Sequence, residues 1–66
     1  MADRFELIAR KHEVRRRIER TRRDLERERH PQRGEPNRRR IEKLENELER
    51  LMAQEFNLRL AIDLSR

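Results

Sequence analysis

The segment HPQRGEPN, residues 30–37, holds both prolines and the only glycine of the 66-residue chain, so it sets where the chain turns. Pro31 disfavours the helical conformation at His30, and Pro36 suits the first turn of a following helix. The stretch therefore predicts a turn over residues 30–36.

Two helices of similar length are expected on either side of this turn. Arg, Glu and Leu, all good helix formers, dominate a chain that is 50% charged and 32% hydrophobic. We predict helix one over about residues 3–29 and helix two over about residues 37–64, capped by Glu35 or Asn37. The fold class is then all-α, a single helical hairpin over residues 1–66.

Both helices carry apolar residues at the three- and four-residue spacing of a coiled coil. The seam of helix one consists of Leu7, Val14, Ile18 and Leu25, with Thr21 among them. The seam of helix two consists of Ile41, Leu44, Leu48, Leu51, Leu58 and Ile62. The spacing predicts an antiparallel, coiled-coil-like hairpin whose two seams face each other.

One polar residue interrupts each seam, Lys11 in helix one and Glu55 in helix two. Folding the chain back about its turn sets Ile18 against Leu48, and Lys11 then falls opposite Glu55. Because a polar pair within an apolar seam can specify register, we predict that Lys11 and Glu55 form a register pair.

The open end of the hairpin is more apolar than one seam requires. Each helix of a two-helix hairpin has only one neighbour, so apolar residues on other faces must meet another chain or stay in water. We expect the hairpin to dimerise into a four-helix bundle, or to bind a partner protein. The predicted protein interface consists of Phe5, Leu7, Ile8, Met52, Phe56, Leu58, Leu60, Ile62 and Leu64.

Residues 56–64 also permit a strand, because apolar residues occupy every second position from Phe56 to Leu64. Leu and Ala are mediocre strand formers, and a lone strand has no obvious partner. A helix that is apolar on several sides explains the pattern as well, and we prefer it.

Positive charge is concentrated around the turn, since residues 15–40 hold twelve Arg against five acidic residues. Guanidinium groups suit phosphate, so RNA or DNA binding is the alternative function. It would use Arg15, Arg16, Arg20, Arg23, Arg38, Arg39 and Arg40. The alternative to nucleic-acid binding is that these charged residues only form a solvent-exposed helix surface. Acidic residues stand four positions before basic ones there, as Glu13 does before Arg17, and such pairs stabilise a helix. An anionic membrane surface is a third interpretation.

Residue types argue against catalysis and metal binding. The chain has no Cys, one Ser at the penultimate position and one Thr within the seam, so no nucleophile and base constellation can be assembled. His12 and His30 lie far apart in a hairpin, and Glu26 with His30 would need further ligands from another chain. We expect no enzyme activity, no cofactor, no metal and no small-molecule substrate.

The chain is expected to be cytoplasmic. It has no Cys, its N-terminus lacks an apolar run, and no stretch approaches the roughly 20 apolar residues of a transmembrane helix. Together these features predict a small helical interaction or regulatory module that acts on itself or on a partner protein.

Overall fold

The computed structural model describes residues 3–65, which form helix α1 (Arg4–Arg29) and helix α2 (Arg38–Leu64), packed against each other. The all-α prediction of two helices and a turn is confirmed. Residues 56–64 belong to α2, so the strand alternative does not hold. Residues 1, 2 and 66 of the predicted hairpin lie outside the described residues.

Each helix begins at a side chain that accepts a hydrogen bond from the first turn. Asp3 Oδ1 accepts from the backbone N–H of Glu6 at 2.8 Å, and Asn37 Oδ1 accepts from the backbone N–H of Arg40 at 3.2 Å. These bonds satisfy backbone donors that have no partner inside a helix. Asn37, rather than Glu35, is therefore the cap of α2.

The connection between the helices is shaped by its prolines and its glycine. The backbone N–H of His30 still donates to the carbonyl of Glu26 at 3.2 Å, but Pro31 has no N–H and the helix ends there. Gly34 has a φ of 79°, in the left-handed region that favours glycine. Pro36 precedes the cap of α2, instead of occupying its first turn as predicted, because the capping side chain belongs to Asn37.

A single line of apolar side chains between the helices makes up the core. Within residues 3–65, the buried hydrophobic residues are Ile18, Leu25, Leu51 and Ile62, and Thr21 is buried among them. The other predicted seam residues are half-buried, because each touches only one neighbouring helix and the remainder of its surface meets water. The molecule is a rod of 51 × 15 × 14 Å.

Three ion pairs across the helices show a register that differs from the predicted one. Arg15 Nε lies 3.7 Å from Glu55 Oε2, and Arg40 Nε lies 2.7 Å from Glu28 Oε1. Arg29 Nη2 also donates to Glu45 Oε2 at 3.3 Å. In each pair the α2 residue stands further along the chain than the predicted register places it.

Glu55 is thus paired with Arg15, one helical turn from the predicted Lys11. A polar pair is a weak determinant of how the helices align, because it contributes less than one buried apolar side chain. Burying a side chain such as Ile18 or Leu51 contributes about 1.5–3 kcal/mol, whereas a partly exposed ion pair contributes roughly 0.2–1 kcal/mol.

Candidate interaction surfaces

A ridge of large apolar side chains runs along α2 and faces water. Its members follow one another at four-residue intervals, and we call them the α2 stripe: Met52, Phe56, Leu60 and Leu64. Their exposed fractions are 48%, 60%, 46% and 85%. All four belong to the predicted protein interface.

The stripe is exposed because α2 has only one helix beside it. Leu51 and Ile62 are buried against α1 and mark the side of α2 that faces the hairpin core. Steps of four residues advance about 40° beyond a full turn, so the ridge winds away from that side as it approaches the C-terminus. The hairpin alone therefore cannot bury the far end of the ridge.

The remaining predicted interface residues divide between the core and the surface. Ile62 is buried inside the hairpin, and Leu58, Leu7 and Ile8 are half-buried. Phe5, in the first turn of α1, is 83% exposed. Leu58 and Ile62 thus pack in the seam between the helices and offer little surface to a second molecule.

A shallow groove of about 450 Å³ joins the stripe to the edge of the core. Met52 and Phe56 of α2 and Ile18 of α1 supply its apolar lining. Charged side chains surround this lining: Arg15, Glu19, Arg22, Glu55 and Arg59. The exposed apolar surface thus extends from α2 towards α1, and both helices border it.

The seven Arg residues of the predicted nucleic-acid surface do not form one cluster. Arg15 and Arg40 are held in ion pairs between the helices, and Arg16 lies 3.8 Å from Glu13. Arg38 and Arg39 are exposed in the first turn of α2. Arg20 and Arg23 lie on α1, exposed and without an ion pair to any residue in the described range 3–65.

The structure reveals a second ridge, on α1, that contains one residue absent from that prediction. Exposed Arg residues recur at intervals of four, three and four residues, and we call them the α1 stripe: Arg16, Arg20, Arg23 and Arg27. Arg27 is the one that was missed. The sequence contains a signal for Arg27, because its three- and four-residue spacing from the other Arg residues is the same helical periodicity that identifies the apolar seams.

No metal centre is found in the part of the chain that the structure describes: no three His, Cys, Asp or Glu side chains come together there. His30 Nε2 lies 3.7 Å from Glu26 Oε1, and both side chains are largely exposed. This pair lies at the C-terminal end of α1, where the helix dipole favours a positive group. Of the two helices formed by residues 3–65, neither has the apolar length that a membrane crossing requires.

Comparisons with protein-family models, with curated proteins and with solved structures found no match to this chain.

Proposed function

We propose that this protein is a non-enzymatic helical interaction module that acts as a homo-oligomer, with the α2 stripe as its interface. One observation carries the proposal. Among residues 3–65, five large hydrophobic side chains are at least 46% exposed, whereas four hydrophobic residues are buried. A hairpin that leaves large apolar side chains in water can still gain free energy by covering them through association.

The magnitude of that gain supports an assembly of hairpins over an isolated one. Moving a fully exposed large apolar side chain out of water contributes about 1.5–3 kcal/mol. The four members of the stripe, 46% to 85% exposed, each have a corresponding part of that still to gain. A single chain near the lower size limit for independent folding has little stability of its own. Covering the α2 stripe therefore adds stability where the isolated hairpin lacks it.

A second copy of the hairpin fits the stripe by symmetry. If two α2 helices pack antiparallel about a two-fold axis, Met52 of one copy is level with Leu64 of the other, and Phe56 is level with Leu60. Every member of the stripe then meets an apolar residue. Two hairpins joined in this way make a four-helix bundle, with α2 helices inside and α1 helices outside.

The direct test is the mass of the protein in solution. Sedimentation from about 5 μM to 500 μM should give a mass of at least two chains, and the melting temperature should rise with protein concentration, since association stabilises the folded state by mass action. A folded protein that sediments as one chain at every concentration, with a constant melting temperature, would overturn the proposal.

A matched pair of variants locates the interface. Phe56→Glu places a charge on the stripe, at a position 60% exposed in the hairpin, and should shift the mass to one chain. Gln54→Glu adds the same charge to the same helix, at an exposed position off the stripe, and should leave the mass unchanged. Because Glu is a good helix former, circular dichroism can separate loss of association from loss of helix. Equal dissociation of both variants would exclude the stripe as the interface.

A further inference from the structure

We propose that the α1 stripe binds the phosphate backbone of double-stranded nucleic acid. The stripe occupies the side of α1 that points away from α2. Arg16 and Arg23 each stand two residues before a buried core residue, Ile18 and Leu25, and side chains two residues apart on a helix point about 160–200° from each other. Its four guanidinium groups are therefore carried on the outer surface of the hairpin.

The charges of this face are free to meet a ligand. In the described part of the chain, Arg20, Arg23 and Arg27 make no ion pair within 4.0 Å. Arg16 lies 3.8 Å from Glu13 with 81% of its side chain exposed, and Glu13 is shared with Arg17 at 3.7 Å. Association of the stripe with an anion therefore breaks at most one long, exposed ion pair.

The acidic residues nearest the stripe do not neutralise it. Asp24 borders the same shallow depression as Arg20, Arg23 and Arg27, and it is half-buried. Glu19 is exposed beside the stripe. Glu13, near Arg16, is shared with Arg17. Four Arg against these three acids leave the face positive. Glu28, by contrast, is turned to Arg40 across the hairpin, 2.7 Å away, and so contributes little to the outer face.

The shape of the stripe favours a linear array of phosphates over a single anion. Its first and last Arg, Arg16 and Arg27, are eleven positions apart. At 1.5 Å per residue this is about 16 Å of straight helix. Duplex DNA carries about one charge per 1.7 Å of its axis, so a duplex backbone offers phosphates along this whole length. Arg is suited to them because its planar guanidinium can form paired hydrogen bonds to phosphate oxygens.

Two other polyanionic partners fit the stripe less well. Single-stranded nucleic acid is bound through aromatic stacking as well as charge, and no aromatic residue lies on α1 between Arg16 and Arg27. Binding of a helix to an anionic membrane requires an apolar face that enters the lipid, and the stripe has no apolar member. A rigid duplex is recognised by charge alone, so neither feature is needed.

The inference is independent of self-association through α2. In the proposed bundle the α1 helices lie outside, so the α1 stripe stays exposed in a dimer and in an isolated hairpin alike. Failure of one proposal therefore leaves the other standing.

The test is fluorescence anisotropy of labelled 24-base-pair RNA and DNA duplexes of the same sequence, titrated with the full chain from 50 to 300 mM salt. Four phosphate contacts predict that the logarithm of the association constant falls with the logarithm of salt with a slope of about −3.6 for DNA. Binding to either duplex supports the proposal, and the difference between them identifies the preferred duplex. Absence of binding to both at 50 mM salt overturns it.

The double variant Arg20→Gln, Arg23→Gln should bind at least about tenfold more weakly at low salt, with the slope reduced by about 2. The control Arg10→Gln, Arg50→Gln removes the same charge at exposed positions off the stripe and should bind like the unaltered chain. Equal weakening in both variants would mean a diffuse charge effect and would overturn the assignment. Preferential binding to single strands or to phosphatidylserine vesicles, rather than to the duplexes, would also overturn the proposal.

Discussion

Thr21 is the buried polar residue of the core, 7% exposed and set between Ile18 and Leu25 in the apolar seam of α1. Taking a hydroxyl out of water costs free energy unless it finds a hydrogen bond, whereas a methyl group in its place has no such cost. Thr and Val have similar helix propensities, so the polarity of this side chain can be changed with little effect on the helix itself.

We therefore expect Thr21→Val to stabilise the hairpin by about 1 kcal/mol, which corresponds to a rise of roughly 4–8 °C in melting temperature for a chain of this size. Thermal unfolding followed by circular dichroism at one fixed protein concentration measures it. Thr21→Ser, which keeps the hydroxyl and loses the methyl group, is the control and should be destabilising. A lower melting temperature for Thr21→Val would mean that the hydroxyl has a structural role.

The start of α2 combines a favourable and an unfavourable feature. Asn37 caps the helix by accepting the backbone N–H of Arg40. The first turn, however, contains Arg38, Arg39 and Arg40 and no acidic residue, although the positive end of the helix dipole favours acidic groups there. The cross-helix ion pair of Arg40 with Glu28 offsets part of this cost. The start of α2 therefore depends strongly on its cap.

Loss of that cap should destabilise the protein measurably. Asn37→Ala removes the acceptor and should cost about 1 kcal/mol in the free energy of unfolding, while Asn37→Ser keeps a capping oxygen and should stay close to the unaltered chain. Urea unfolding of the three proteins at equal concentration checks this. If Ala and Ser behave alike at position 37, the hydrogen bond to Arg40 does not stabilise the start of α2.

The whole molecule is a thin rod whose core is one side chain deep, so its stability is spread over few residues. The buried set of the described range 3–65 is Ile18, Thr21, Leu25, Leu51 and Ile62. A globular domain loses a small share of its core when one residue is truncated. Here one truncation removes a large share, because the stability of a small hairpin amounts to only a few kcal/mol.

Leu51→Ala should therefore cost about 2–5 kcal/mol and abolish most of the helical circular dichroism signal at micromolar concentration. Leu51 is 5% exposed, whereas Gln54, on the same helix, is exposed, so Gln54→Ala serves as the control and should retain the signal. A Leu51→Ala protein as helical and as stable as the control would contradict a core of this size.

Much of the fold follows from local chemistry. Pro31, Gly34 and Pro36 enforce a turn through backbone conformation alone, and the predicted helices over about 3–29 and 37–64 lie within a residue of Arg4–Arg29 and Arg38–Leu64. The seam also follows from spacing, because residues three and four apart share one face of any helix. The sequence pattern also predicts part of the candidate surfaces. All four residues of the α2 stripe are among the predicted interface residues, whereas Arg27 of the α1 stripe is not in the predicted Arg set.

The alignment of the helices and the exposure of particular apolar residues depend on contacts between α1 and α2. The pairing of Arg15, rather than Lys11, with Glu55 depends on how far one helix slides along the other, and a heptad pattern repeats after every slide of two turns. The burial of Ile62 and the exposure of Phe56 depend likewise on having a single neighbour on one side. Turn and helices thus arise from interactions between residues close in sequence, whereas register and exposed surface arise from interactions between the two helices.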